Sequence, residues 1–401
     1  MPTPGLEIKH TSQERARQGF VNALRSHVLN NVADHMKVVF EQRVRPEMEK
    51  SLERPPKSGE EIHKAMKSEP IFKFYSALRM NAQEMCWRSV IPGIERDMHD
   101  LNDRAQALSC TNGTCNGSLN LDPTFEVPWY VSELDIHLMP GNYHEEHVRD
   151  DVTQAAIYEQ GFEVFSMGLL GKRNDDIASS IALFINTKFP NLDPKCIVDV
   201  GCLVGHSTLP WKQQYPDAEV HGIDVAAPAL RYAHARAQSY GVDAHFHQMS
   251  CENIQFKDES FDIVFSSMLL HEMPPKSVET AMAEMVRLLK PGGLLLHYEL
   301  PPNSKTDPYD SFYLDWDSYY NKEPFYKSVR DMDFEHLLAN AGVSRERQLC
   351  FLVPSVMSFG RDETIKAARN PTEDGMDHRL SRLVRGMRWY TFGGWKPGNS
   401  K

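Results

Sequence analysis

The chain has 401 residues, 41% hydrophobic and 25% charged, and a formal net charge of -11. This is the composition of a globular protein that can form a core without staples, in one large domain or two to three smaller ones. The acidic balance excludes a general nucleic-acid binder, whose affinity rests on Lys and Arg neutralising phosphate, and no apolar run approaches the ~20 residues of a membrane helix.

The opening MPTPGLEIKHTSQERARQG has no apolar signal stretch. The cysteines at 86, 110, 115, 196, 202, 251 and 350 are odd in number and scattered. They read as reduced thiols, so a cytoplasmic location is expected and the sequons at Asn112 and Asn116 are expected to be idle. The first hundred residues read as helical. Thr11 with Glu14, and Ser58 with Glu61, have capping-box spacing. Phe20, Leu24, Val28, Val32, Met36 and Phe40 form a ladder at every fourth residue. RPPKSGEE breaks the pattern, because proline stops a helix, and a second helical stretch covers roughly 71 to 98. Residues 109–128, rich in Asn, Gly, Ser and Thr, read as a linker. Its Cys110 and Cys115 lack the second pair that a zinc site of this kind needs.

After residue 150, strands alternate with helices: CIVDV (196–200), EVHGID (219–224), AHFHQM (244–249), FDIVFSS (261–267) and GGLLLHYEL (292–300). The helix at 278–290 is stopped by Pro291-Gly292-Gly293, and 346–353 and 388–395 read as two closing strands. This rhythm implies an α/β fold, Rossmann-like and doubly wound, with a mainly parallel seven-stranded sheet in residues 151–401. An all-helical N-terminal domain, 1–108, precedes it as a cap or a dimerisation surface. Residues 109–150 form a linker and substrate-side loop.

Ligands of open α/β sheets bind beyond the carboxyl ends of the strands. The first strand of this region supplies Asp199, Gly201 and Gly205, and the second ends in Asp224, a carboxylate suited to both hydroxyls of an unphosphorylated ribose. The loop GCLVGHS lacks the G-x-G-x-x-G of a dinucleotide site and the Lys of a P-loop. A ribose clamp without a phosphate cradle suits S-adenosyl-L-methionine. Each residue alone has a plainer reading: the glycines fit any strand–helix turn, and Asp224 fits a helix cap.

With VDVGCLVGHST, HGIDVA, SCENIQFKDESFDIVFS and LLKPGGLLL in order over roughly residues 155–300, the chain resembles the class I S-adenosylmethionine-dependent methyltransferases. The resemblance implies a cofactor set of Tyr158, Asp199, Gly201, Gly205, Ser207, Asp224, Val225, Ser250, Cys251, Glu252 and Met268. In it Tyr158 faces the methionine carboxylate and Cys251 offers a backbone N–H to the adenine. Two positions depart from the family pattern. Leu203 stands where a middle glycine is usual, and Ser250 where an aspartate usually meets the adenine amino group; a hydroxyl accepts more weakly than a carboxylate.

Methyl transfer mainly requires the acceptor to be held close to the methyl carbon. His271, Glu272 and Tyr298 follow strands four and five of this run, and His271 is the first candidate base because imidazole titrates near neutrality. The aromatic and acidic insertion at 303–330 suits either a roof over the acceptor, aromatic or cationic, or a latch onto the N-terminal helices. His137, His144 and His147 fall short of a metal signature, so no metal is assigned. The expected partner is a small-molecule acceptor, with no nucleic acid and no membrane insertion, and the N-terminal helices are a candidate homodimer face. The competing function is a cofactor-binding scaffold without turnover, which Leu203 and Ser250 favour.

Overall fold

A computed structural model describes residues 3–109, 117–370 and 386–398. Cys110, Cys115, Asn112 and Asn116 lie outside the described residues. Thr11 opens the helix Ser12–Ser26 with both halves of its capping box: its hydroxyl accepts from the Glu14 amide at 3.2 Å, and the Glu14 carboxylate accepts from the Thr11 amide at 2.7 Å. Ser58 caps the helix Gly59–Met66 through the Glu61 amide, but Glu61 turns instead to the Lys57 amide and Arg54.

The fourfold ladder explains a further feature. Residues four apart drift by about 40° around a 3.6-residue helix. Two wider π turns, His27–Val32 and Phe40–Val44, turn the other way and offset that drift, so that Val28, Val32, Met36, Phe40 and Val44 share one buried face. Phe20, which precedes both, is 59% exposed.

The next long helix, Pro70–Ser109, runs well past the expected end and carries Pro92 inside it. Its second half buries Ile94, Leu101 and Ala105 in one cluster with Ala156 and Tyr232. That packing extends the helix beyond its local propensity.

The sheet has eight strands: β1 Gly117–Asn120, β2 Cys196–Val200, β3 Glu219–Asp224, β4 Ala244–Gln248, β5 Phe261–Ser267, β6 Leu289–Tyr298, β7 Gln348–Pro354 and β8 Arg388–Trp395. Their order is β1-β4-β3-β2-β5-β6-β8-β7. The first six are parallel, and β8 runs antiparallel to both β6 and β7. The fold is the expected α/β type, with one strand more than the seven anticipated. The extra one, β1, lies in the stretch read as a linker and pairs with β4 from Gly117↔Ala244 to Asn120↔His247. A four-residue edge strand with one apolar side chain, Leu119, carries too little alternation to be seen.

A second boundary also moves. The helix Pro275–Leu288 ends two residues early, and β6 begins at Leu289. Between the pairs Phe261↔Leu289 and Ile263↔Leu294 the register slips, and Lys290-Pro291-Gly292-Gly293 bulges out. This accommodates a proline that has no N–H to give the ladder.

The insertion after β6 forms the helix Pro308–Tyr320 and the short helix Tyr326–Arg330. One face of the longer helix, with Tyr309 and Phe312, packs among Phe40, Ile62 and Phe72 of the N-terminal helices. Its other residues, Tyr313, Leu314, Asp317 and Ser318, line the cavity described next. The segment thus packs onto the N-terminal helices and also faces the cavity. No helix among the described residues is long and apolar enough to cross a membrane.

Candidate active site

Strand order reverses between β2 and β5, so a crevice opens at their carboxyl ends. The loop after β2 makes its turn with three left-handed residues: Gly201 (φ 76°), Leu203 (φ 45°) and Gly205 (φ 77°). A Cβ at Gly201 would lie 2.6 Å from Leu269 Cδ1 and push that side chain aside, so the left-handed φ is the stronger demand for glycine. The amides of Gly201 and Cys202 both donate to the Ile223 carbonyl, at 2.8 and 3.0 Å.

Asp224 closes the loop. One carboxylate oxygen accepts from the Leu203 amide at 2.9 Å and the other from the Ala226 amide at 3.0 Å. Burial raises its pKa, against the pull of these amides. Each oxygen retains capacity for one more donor, which suits the two hydroxyls of a ribose.

A cavity of about 290 Å³ lies beside this loop. Of the residues expected to bind cofactor, Tyr158, Gly201, Ser207, Asp224, Val225 and Met268 line it. Tyr158, from the helix Thr153–Phe165, stacks on Phe162 at 5.4 Å between centroids. Burial raises its hydroxyl pKa, as do the charges of Glu272 and Asp224. Met268 is itself left-handed (φ 55°), and its amide donates to the Tyr298 carbonyl at 2.9 Å.

Five expected residues stand off the cavity wall. Gly205 shapes the turn from behind. Asp199 is fully buried beneath it and accepts from the Thr208 hydroxyl at 2.6 Å. Its other oxygen has no partner, and burial pushes its pKa up to about 7. The Ser250 hydroxyl accepts from the Glu252 amide at 3.2 Å within its own turn. Cys251 packs in the core, its thiol pushed up to about 12 by burial. Glu252 accepts from the Tyr130 hydroxyl at 2.8 Å.

Opposite the loop lies a buried polar cluster. His271 Nδ1 is 2.7 Å from Glu299 Oε2, and its ring stacks on Tyr326 at 4.2 Å. Burial opposes its charge, but Glu299, Glu272 and Glu323 outweigh that and push its pKa up to about 9. The shift favours the protonated ring, the form that donates to Glu299 rather than the form that accepts a proton. Glu272 accepts from His137 Nε2 at 3.1 Å and from the Tyr143 hydroxyl at 2.9 Å, while its second oxygen has no partner. Tyr298 lines the cavity with its ring 5.4 Å from Trp389.

The N-terminal helices complete this wall. Arg79 pairs with both oxygens of Asp317, at 2.7 and 3.2 Å, and reaches Asn321 at 3.0 Å. Arg25, 1% exposed, donates to the Phe165 carbonyl at 3.0 Å and to Gln83 at 2.8 Å, and its Nη2 has no partner. Sequence reasoning missed Arg25, Arg79, Tyr143 and the part played by His137, which it weighed only as a metal ligand. His137 stands at positive φ (57°), a backbone feature that only the structure reveals. His144 and His147 do not line the cavity.

The turn and its ribose-ready acid, placed at the switch point, define a class: α/β proteins that seat an adenosine-bearing cofactor without a phosphate cradle. A family model described as a methyltransferase domain matches residues 197–293. The chain is 30% identical over 175 residues to a demethylmenaquinone methyltransferase of Thermus thermophilus, covering 43% of this chain and 71% of that one. It is 30% identical over 204 residues to a malonyl-acyl-carrier-protein O-methyltransferase of Herminiimonas arsenicoxydans, covering 49% and 74%. For the corresponding protein of Coxiella burnetii the identity is 28% over 203 residues, covering 50% of this chain and 65%, just under two thirds, of that one. This chain belongs to the class I S-adenosylmethionine-dependent methyltransferase family, and S-adenosyl-L-methionine is its cofactor. The donor set fits it: two free acceptor positions on Asp224, and the hydroxyls of Tyr158 and Ser207 on the same wall.

Leu203 carries the clearest local strain. A left-handed non-glycine residue costs about 1–2 kcal/mol, whereas glycine gives back roughly 0.5–1 kcal/mol through a freer unfolded chain. Leu203→Gly is expected to leave the melting temperature within a few degrees and to tighten cofactor binding. Calorimetric titration and a melting curve check both. A loss above ~2 kcal/mol would mean that Leu203 packing outweighs its strain.

Proposed function

We propose that the protein transfers a methyl group to a small molecule held between the carboxyl ends of the sheet and the N-terminal helices. One observation carries this reading: a single cavity joins the Asp224 loop to the His271–Glu272 cluster and the roof helix Pro308–Tyr320. When bound, the cofactor supplies an electrophilic methyl carbon on a sulfonium. The chain's own part is to seat the acceptor, exclude water and take up any proton the acceptor loses.

The composition of the wall favours an acceptor with an aromatic or apolar body and a polar head. Tyr158, Phe162, Tyr298, Tyr313 and Trp389 supply the apolar side. Three carboxylates already have partners: Asp317 pairs with Arg79, Glu272 with the His137 ring, and Glu299 with the His271 ring. A cationic acceptor therefore finds less uncompensated charge than the sequence suggests. Glu323 is the group best placed as proton acceptor. Burial raises its pKa, although His137 and His271 draw it back, and it accepts from the Asn321 side chain. Glu323→Gln is expected to lower kcat by about 10²–10⁴-fold while leaving adenosylhomocysteine affinity unchanged; equal loss of both would remove the assignment.

The test of the reading as a whole is a panel of phenols, carboxylic acids, amines, thiols and isoprenoid quinols incubated with S-adenosylmethionine, with adenosylhomocysteine as the readout. Turnover of one class supports catalysis. Tight cofactor binding with no turnover across the panel would favour the binding-only scaffold, for which the narrowed loop at Leu203 is the supporting feature.

A further inference from the structure

At the opposite ends of the strands, away from the cavity, one face of the sheet gathers metal-ligating side chains. In β3, Glu219 and His221 are two residues apart and share a face. Register extends the set sideways: Cys196 of β2 pairs with Glu219, and His245 of β4 pairs with His221. The Cys196 Sγ, a Glu219 carboxylate oxygen and a His221 ring nitrogen all lie within 4.8 Å of one another. His221 Nε2 is 3.2 Å from Glu219 Oε1, and His245 Nε2 is 3.9 Å from the same oxygen and 4.0 Å from Asp243 Oδ1.

A tetrahedral zinc ion with bonds of about 2.0–2.3 Å needs its ligand atoms roughly 3.3–3.8 Å apart. The His221–Glu219 and His245–Glu219 separations, 3.2 and 3.9 Å, bracket that range. The second layer is also in place. His221 Nδ1 lies 3.1 Å from His247 Nε2; with the hydrogen on Nδ1, its Nε2 lone pair is fixed toward the Cys196–Glu219 side, as a metal-bound imidazole requires. Glu219 is 57% exposed at its side chain and His245 26%, which leaves an entry path from solvent.

We propose that Cys196, Glu219, His221 and His245 bind one zinc-class divalent cation at the amino ends of β2, β3 and β4. One thiolate, two imidazoles and one carboxylate are a borderline-soft set that suits zinc rather than magnesium or calcium. Four protein ligands close the coordination sphere, so the site holds three strands together and performs no chemistry. The cavity lies beyond the other ends of the same strands, roughly 15 Å away at about 3.3 Å per residue.

The test uses the full chain with zinc alone, then cobalt alone. After loading and desalting, the wild type is expected to retain one zinc per chain by elemental analysis, and the cobalt form to show a near-ultraviolet thiolate charge-transfer band. Cys196→Ser is expected to abolish the band, and His221→Gln to weaken zinc at least about 100-fold, while Cys350→Ser and the Cys110→Ser/Cys115→Ser pair leave both unchanged. A wild type that retains no zinc, or gives no thiolate band, would overturn the site. So would zinc lost from the Cys110/Cys115 variant but kept by Cys196→Ser. The wild-type spectrum stands even if a ligand variant fails to fold.

Discussion

Arg79→Met is expected to lower the stability of the whole chain by about 3–5 kcal/mol, the cost of stranding one member of a buried ion pair. Arg79 is 2% exposed, and its guanidinium grips both oxygens of Asp317. Burial opposes charge on both partners, and each is held ionised by the other. Removing the cation leaves Asp317 with the Tyr75 hydroxyl as its remaining named donor. The pair ties the helix Pro70–Ser109 to the roof helix Pro308–Tyr320, so the loss should appear as a lower urea midpoint and as looser acceptor binding. Arg79→Met/Asp317→Asn should recover part of the stability, since an apolar or neutral pair costs less than a stranded charge. A single-variant loss below ~1 kcal/mol would mean that water already reaches the pair.

Asp224→Ala is expected to weaken S-adenosylmethionine binding by about 1.5–3 kcal/mol, the range for hydrogen bonds to a charged group, or roughly 10- to 150-fold in Kd. Two effects add. The ribose loses its acceptor, and the Leu203 and Ala226 amides lose theirs, which loosens the loop. Asp224→Asn separates the two, because its carbonyl oxygen still serves one amide. Unchanged affinity in both variants would move the ribose elsewhere in the cavity.

The cofactor half of the site was readable because it is local. VDVGCLVGHST puts a buried strand, a left-handed turn and a helix start within a dozen residues, and each has a composition signature. Asp224 was readable because strand ends in this fold fall at one edge of the sheet. The acceptor half was not, because its parts meet only through tertiary packing. Arg25, Arg79 and His137 lie in separate segments that show ordinary helical or loop patterns, and nothing local says that they face Glu272 or Asp317. The charge environment of His271 is illegible in the sequence for a related reason. Its position after β5 was evident, but its charge depends on Glu299 and Glu323, which stand 28 and 52 residues away in the chain. β1 was missed because its pairing with β4, not its own sequence, makes it a strand.

The place of β8 has a consequence for how the chain is made. It is the last strand in chain order among those described, yet it sits inside the sheet, paired to β6 on one side and β7 on the other. Its Trp389 also forms part of the cavity wall. While the polypeptide emerges from the ribosome, β6 therefore waits with an open edge until roughly residue 395 is free, and the helices made first have no finished surface to dock on. Unpaired edges of this kind are where nascent chains associate wrongly. The window between making β6 and making β8 is therefore when a chaperone would matter most.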